Sequence, residues 1–309
     1  MKTITFYSEK GGVGKTSFGV MYASWLKYRT EDGVKGPVRS AVMDYNNRIS
    51  DMRVREIDRM KNEGNPVPPA ESMWPIFQEE EDAGPYTKDC HSRYLLKMIN
   101  GDTKNGAHLS DYDVLVLDFP GAQNNEEFIQ LFSDGLIGAV MIPVDRDPQT
   151  YMATLSLARV IGFSDVPYAC FFNTINLSTD PERYRTVAKF LRDNSGLCTM
   201  PTFVTYTERL KKEGEPDAIR STFSWPKWTP NSRSSGAGED PGLENLFIDI
   251  TRLLARCPDI PGTPAADLSF AERMKRGDEF NKRSLGFRIP YVDYDPKTTE
   301  GLPDAPEED

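Results

Sequence analysis

Along this chain, short continuous apolar runs take turns with longer segments in which apolar residues recur every three or four positions. The runs predict strands and the longer segments amphipathic helices. Thr3 to Ser8 (TITFYS), Val38 to Met43, Val114 to Leu117, Ile137 to Val144 and Tyr168 to Phe172 are the expected strands, and Val204 with its neighbours is a candidate for one more. Ser17 to Tyr28, Asn124 to Phe132, Pro148 to Ile161 and Pro181 to Arg192 are the expected helices. Leu243 to Ala255, with apolar Leu246, Phe247, Ile250, Leu253 and Leu254, closes the series. Val114 to Leu117 is apolar throughout, as in a strand buried on both faces of a parallel sheet. Alternation of this kind over roughly 200 residues, without an internal repeat, predicts one α/β domain with a mostly parallel, doubly wound sheet flanked by helices.

Three stretches break the pattern. Asn62 to Tyr86, with PVPP and QEEED, reads as an inserted loop or lid at the start of an insert of about 62–110. Residues 224–242 concentrate Pro, Ser and Gly and read as a second loop. Beyond Pro258 there are 12 acidic and 7 basic residues, and this end is expected to be a flexible or docking tail, so that the domain covers 1–257 and the tail 258–309.

Composition changes this picture in a few places. With 38% hydrophobic and 27% charged residues, the 309-residue chain has enough apolar material for a sizeable core and is not disordered throughout. No apolar run approaches the ~20 residues of a membrane span, and Glu9 and Lys10 interrupt the start before a signal-peptide core forms. Cys90, Cys170, Cys198 and Cys257 are too scattered for a disulfide framework or a zinc or iron–sulfur site, so a cytoplasmic setting is expected. The net charge of -10 argues against a constitutive coat of nucleic acid, but half of it lies beyond Pro258.

The strongest chemical signal lies between the first strand and the first helix: Lys10-Gly11-Gly12-Val13-Gly14-Lys15-Thr16. Glycines let backbone N–H groups turn inward around phosphate oxygens, Lys15 supplies charge to the β- and γ-phosphates, and the Thr16 hydroxyl can hold Mg2+. Ser17 is within reach of an α-phosphate. A plain glycine-rich turn is the alternative, but strand, loop, hydroxyl and helix agree on a P-loop NTPase.

The loop resembles the deviant phosphate loop of the ParA/MinD family of ATPases, which carries a second lysine where Lys10 stands; this chain has Glu9 where the general pattern has glycine. The resemblance implies an ATP-dependent homodimer in which Lys10 reaches the partner's nucleotide, much as an arginine finger does; the bland reading is a surface lysine. Leu115-Val116-Leu117-Asp118, followed by Phe119-Pro120-Gly121, resembles the family's Walker B strand and second switch. Asp118 is then expected at Mg2+ and Gly121 at the γ-phosphate, although an aspartate here can also simply cap a turn. Where the family has Asp-x-Asp, this chain has Asp44-Tyr45-Asn46. Asp44 matches the first acid, near metal and the attacking water, but the Asn46 amide can orient water without taking its proton. Asn173, ending YACFFN, falls where the family contacts adenine; asparagine is also a common turn former.

Residues 1 to about 256 resemble ParA-like proteins, and DFPGA, PVDRD and RLKKEG together look most like the ParA-like (TraA) proteins of Bacteroidetes conjugative transposons. The resemblance implies a Mg-ATP-dependent dimerising ATPase that positions DNA or a conjugation or partition complex of a mobile element, with a ParB-like or mobilisation protein as partner. The alternative is an ATP-binding regulatory switch whose Asn46 has removed most hydrolysis. Arg185, Lys189 and Arg192 share one side of the helix after Pro181, with Arg183 nearby. That side is either a nonspecific DNA face or a solvated helix face. Membrane attachment of the MinD kind is not expected, because the end is acidic.

Overall fold

The structure is a computed structural model that describes residues 1–28, 38–79, 90–102, 108–121, 125–145, 147–161, 166, 168–173, 186–187, 189–191, 193, 204, 221–223, 241–257 and 259–260. Six strands form one sheet: β1 (Lys2–Phe6), β2 (Ser40–Asp44), β3 (Ile76–Phe77), β4 (Val114–Asp118), β5 (Val140–Val144) and β6 (Tyr168–Phe172). Their spatial order is β3-β2-β4-β1-β5-β6 and every pairing is parallel. The helices are α1 (Lys15–Tyr28), α2 (Arg48–Asn62), α3 (Cys90–Asn100), α4 (Glu126–Ser133), α5 (Pro148–Ile161) and α6 (Pro241–Arg256).

The pleat sorts the side chains into two cores. Val114 and Val116 of β4, with Ile4, Phe6 and Val42, meet α1, α2 and α6 on one face. Leu115 and Leu117, with Tyr7, Met43, Ile142 and Phe172, meet α3, α4 and α5 on the other. Every residue of β2, β4 and β5 is buried, which is why these strands read as continuous apolar runs. Val204 is buried and its N–H donates to the Phe172 carbonyl at 2.8 Å, beside β6 as the sequence suggests.

The insert departs from expectation. Of the stretch read as a loop or lid, Trp74 is wholly buried, its indole N–H donating to Ser24 Oγ of α1 at 3.1 Å, and Ile76–Phe77 add the outermost strand beside β2. Two further helices, α2 and α3, precede and follow this strand. Helix α2 escaped the apolar pattern because polar contacts hold much of its inner face. Glu56 is buried and accepts from Ser221 Oγ (2.5 Å), Thr222 N (3.0 Å) and Thr222 Oγ1 (2.7 Å). Arg53 lies 4.2 Å over the Trp74 ring and donates to the Trp74 carbonyl at 2.8 Å. Its burial lowers the guanidinium to about 10, against the pull of Tyr28 and Glu56. At the amino-terminal edge of β1, Ile260 N–H donates to the Met1 carbonyl at 3.1 Å, and the Lys2 ammonium lies 3.4 Å from Asp259. Among the described residues no helix is long and apolar enough to cross a membrane.

If Trp74 is a core residue, Trp74→Ala should cost about 3–5 kcal/mol of stability. Urea unfolding followed by circular dichroism measures it; a change well below 1 kcal/mol, the scale of an exposed loop residue, would contradict the burial.

Candidate functional site

The loops after β1, β2 and β4 all leave the same, carboxyl-terminal edge of the sheet, where open α/β sheets bind ligands. The first enters α1 through Gly12 and Gly14, at φ +82° and +97°, values that a side chain would strain. Gly14 is also crowded: a Cβ there would sit 3.2 Å from the Phe18 ring and 3.3 Å from Asn173 Nδ2. Gly11 has open space around it. Val13 is buried and its carbonyl accepts from Asn173 Nδ2 at 3.1 Å. Ser17, half-buried, follows in the first turn of α1. Asn173 thus reaches the loop from the end of β6. Its Oδ1 is buried and makes no hydrogen bond.

Lys15 is buried, and its ammonium donates to the Lys10 carbonyl at 2.8 Å. Burial lowers its pKa to about 8; Asp118 pulls the other way, and Arg48 adds to the lowering. The charge is thus turned onto its own loop. A Cβ at Gly121 would collide with the same ammonium, so Gly121 lies directly against Lys15. The β2 and β4 ends bring the acids together: Asp44 and Asp118 are register partners, both essentially without solvent contact. Thr16 Oγ1 donates to Asp118 Oδ2 at 3.0 Å, and Asn46 Nδ2 lies 3.4 Å from both Thr16 Oγ1 and Asp118 Oδ2. Burial, and then the neighbouring Asp44 charge, raise Asp118 to about 7, opposed by Thr16, Asn46 and Lys15.

Asp44 itself is held by three donors: Asn46 N (3.2 Å), Ser50 N (2.8 Å) and Ser50 Oγ (2.9 Å). It shapes the first turn of α2 as well as placing its charge beside Asp118. Ser50 was not anticipated from sequence, since nothing marks a serine six positions on as its partner. The same holds for the residues that receive Lys10: its ammonium donates to Gln149 Oε1 at 2.6 Å and lies 3.3 Å from Asp147 Oδ2, both at the start of α5. The Asp147 carboxylate also accepts from Gln149 N at 2.9 Å, and this bond, with Lys10, holds it below the usual carboxylate range. Asp-Pro-Gln at a helix start was the available signal.

The site therefore gathers Lys10, Gly11 to Ser17, Asp44, Asn46, Asp118, Gly121 and Asn173 at one edge of the sheet. Of the basic helix, Lys189 is exposed and lies among helical residues, whereas Arg183, Arg185 and Arg192 fall outside the described residues.

Strand order, glycine loop and buried acids together define an α/β P-loop NTPase fold. Comparison with solved structures agrees. A protein described as a plasmid partition protein from Borrelia burgdorferi B31, bound to AMPPNP, superposes with a TM-score of 0.52 at 13% identity, covering 82% of this chain and 98% of that one. Similarity is also found to the MinD cell division protein of Aquifex aeolicus (TM-score 0.49, 13% identity, 84% and 99% covered) and to pNOB8 ParA bound to nonspecific DNA (TM-score 0.42, 15% identity, 92% and 98% covered). No protein-family profile matches the sequence, and no curated protein matches it. The fold is the one seen in the Borrelia structure.

The Asp118 shift has a testable sign. A carboxyl at 3.8 when unfolded and about 7 when folded keeps its proton longer in the fold. The nucleotide-free protein should therefore lose stability as pH rises from 3.8 towards 7. Asp118→Asn should flatten that decline in thermal melts run with chelator; an unchanged slope would show that Asp118 ionises freely.

Proposed function

We propose that this chain is a Mg-ATP-dependent, dimerising ATPase of the ParA/MinD type that positions DNA or a conjugation or partition complex of a mobile element, in a cytoplasmic setting. The observation that carries this reading is the convergence of Lys15, Thr16 and Asp118 beside a glycine loop of the right conformation. Thr16 and Asp118 offer hard oxygen donors 3.0 Å apart, a set that suits Mg2+ completed by phosphate and water. Two such protein donors leave the remaining positions of an octahedral Mg2+ to phosphate and water. Magnesium there would supply charge neutralisation between the β- and γ-phosphates.

The chain's own groups divide the work. Backbone N–H groups of Gly11 to Lys15 cradle phosphate, with Ser17 toward the α-phosphate, and the Lys15 ammonium moves from the Lys10 carbonyl onto phosphate. Gly121, against Lys15, senses the γ-phosphate through its N–H. Asn173 Oδ1 accepts from the adenine amino group. Asn46 orients the attacking water, while Asp44 contributes charge rather than a free hand, since three donors already hold it. Lys10 acts in the partner's site after leaving Asp147 and Gln149 of its own chain. The helix carrying Arg183, Arg185, Lys189 and Arg192 is the proposed nonspecific DNA face, and a ParB-like or mobilisation protein is the proposed stimulating partner.

A second reading, an ATP-binding regulatory switch, is favoured by one observation: Asn46 donates its amide toward both Thr16 and Asp118, where the family pattern puts an acid. An amide there holds geometry but takes no proton.

ATP turnover and ATP-dependent dimerisation, measured with and without duplex DNA, test the proposal. Lys15→Ala should abolish nucleotide binding, and Lys10→Ala should retain binding while losing dimerisation. Clear wild-type turnover supports the ATPase; a gain of about a hundredfold or more only in Asn46→Asp, the lower end of what one acid–base group contributes, selects the switch. Turnover and retention indifferent to DNA at low salt would remove the basic helix face from the account.

A further inference from the structure

The polar groups of Asn46 and Asp118 have tasks in the site, but the residues next to them, Tyr45 and Phe119, do not. Both occupy positions where the site's chemistry makes no demand, yet both are large aromatics. The Tyr45 ring lies flat on the Phe119 ring, centroids 4.9 Å apart at 9°. Phe119 in turn meets Tyr7 edge-on at 6.2 Å and Phe128 edge-on at 5.7 Å, and Tyr7 stacks flat on Phe128 at 3.8 Å. His91 of α3 closes the group from the far side, edge-on to Tyr45 at 6.5 Å.

Each ring of this stack belongs to a different segment. Tyr7 leads into the phosphate loop, Tyr45 adjoins Asn46, Phe119 follows Asp118 and stands two residues before Gly121, and Phe128 is on α4. The backbone adds one tie, Tyr45 N–H donating to the Asp118 carbonyl at 3.0 Å. The Tyr45 hydroxyl is buried and makes no hydrogen bond. Nothing in the contacts rewards that hydroxyl, so the ring and its stack account for the residue.

We propose that Tyr45 is a positioning residue whose stack on Phe119 makes the 44–47 and 118–121 segments shift as one body. A displacement that a γ-phosphate causes at Gly121 is thereby transmitted to Asn46 and, through Phe128, to α4. Two segments joined by a flat aromatic contact have few ways to move separately, because close-packed rings do not slide continuously past one another. This inference rests on the nucleotide-binding reading, and its test separates the two.

Calorimetric titration of Mg·AMPPNP and Mg·ADP into the full chain gives the preference of each variant for the triphosphate analogue. Tyr45→Phe keeps the ring and drops the idle hydroxyl, so its preference should equal that of the wild type. Tyr45→Ala should bind ADP as the wild type does and lose at least about fivefold of the preference, the lower end of ordinary coupling between sites. If Tyr45→Ala gives no cooperative melt, Phe119→Leu, which stays apolar but offers no flat ring, carries the same readout. An unchanged preference in the truncated variants, or a loss in Tyr45→Phe as large as in Tyr45→Ala, overturns the proposal. A wild type that binds both nucleotides equally overturns it while leaving nucleotide binding intact, whereas a wild type that binds neither overturns the functional reading itself.

Discussion

Two acids, Asp44 and Asp118, stand side by side at the ends of neighbouring parallel strands with almost no access to water. Like charges in such a place repel and resist desolvation together, and they persist only where donors and cations converge on them. The surroundings are arranged accordingly. Thr16 and Asn46 reach Asp118, Ser50 and the backbone of Asn46 hold Asp44, and Lys15 turns its charge into the same space. The glycine loop, the left-handed turn at Asn47 that opens α2, and the close approach of Gly121 to Lys15 are the backbone conditions for this convergence.

Helix α2 ties that centre to the rest of the molecule. Its first turn carries Ser50, bonded to Asp44, and its middle carries Arg53 and Glu56, which hold residues 221–223 and the Trp74 ring. One helix thus spans from the acids to a segment more than 160 positions later in the chain. It docks through polar contacts made at a distance as well as through the buried Ile49 and Met52.

That dependence explains what the sequence does and does not disclose. β4, β5 and α5 are legible because apolar runs and a helical period are local properties; α5 starts and ends where the pattern places it. α2 buries only Ile49, Met52 and Glu56, and the last of these is inside only because Ser221 and Thr222 come to meet it. β3 is two residues long, too short to stand out from a proline-rich stretch, and Trp74 beside it declares its burial only through Ser24 and Arg53. The site divides along the same line. Lys15, Thr16, Asp118 and Gly121 belong to contiguous motifs, whereas Ser50, Asp147 and Gln149 acquire their roles from tertiary approach.

Cys257, Asp259 and Ile260 are anchored at the amino-terminal end of β1. Ile260 pairs with Met1 and Asp259 with Lys2 at the strand's amino-terminal end, while the phosphate loop leaves its carboxyl-terminal end. Five residues of strand make roughly 17 Å. Asp259 and Ile260 therefore stand at the end of β1 opposite the phosphate loop. At the loop itself Lys10 and Lys15 stand against Asp44, Asp118 and Asp147, a local balance that the net charge of the whole chain does not describe.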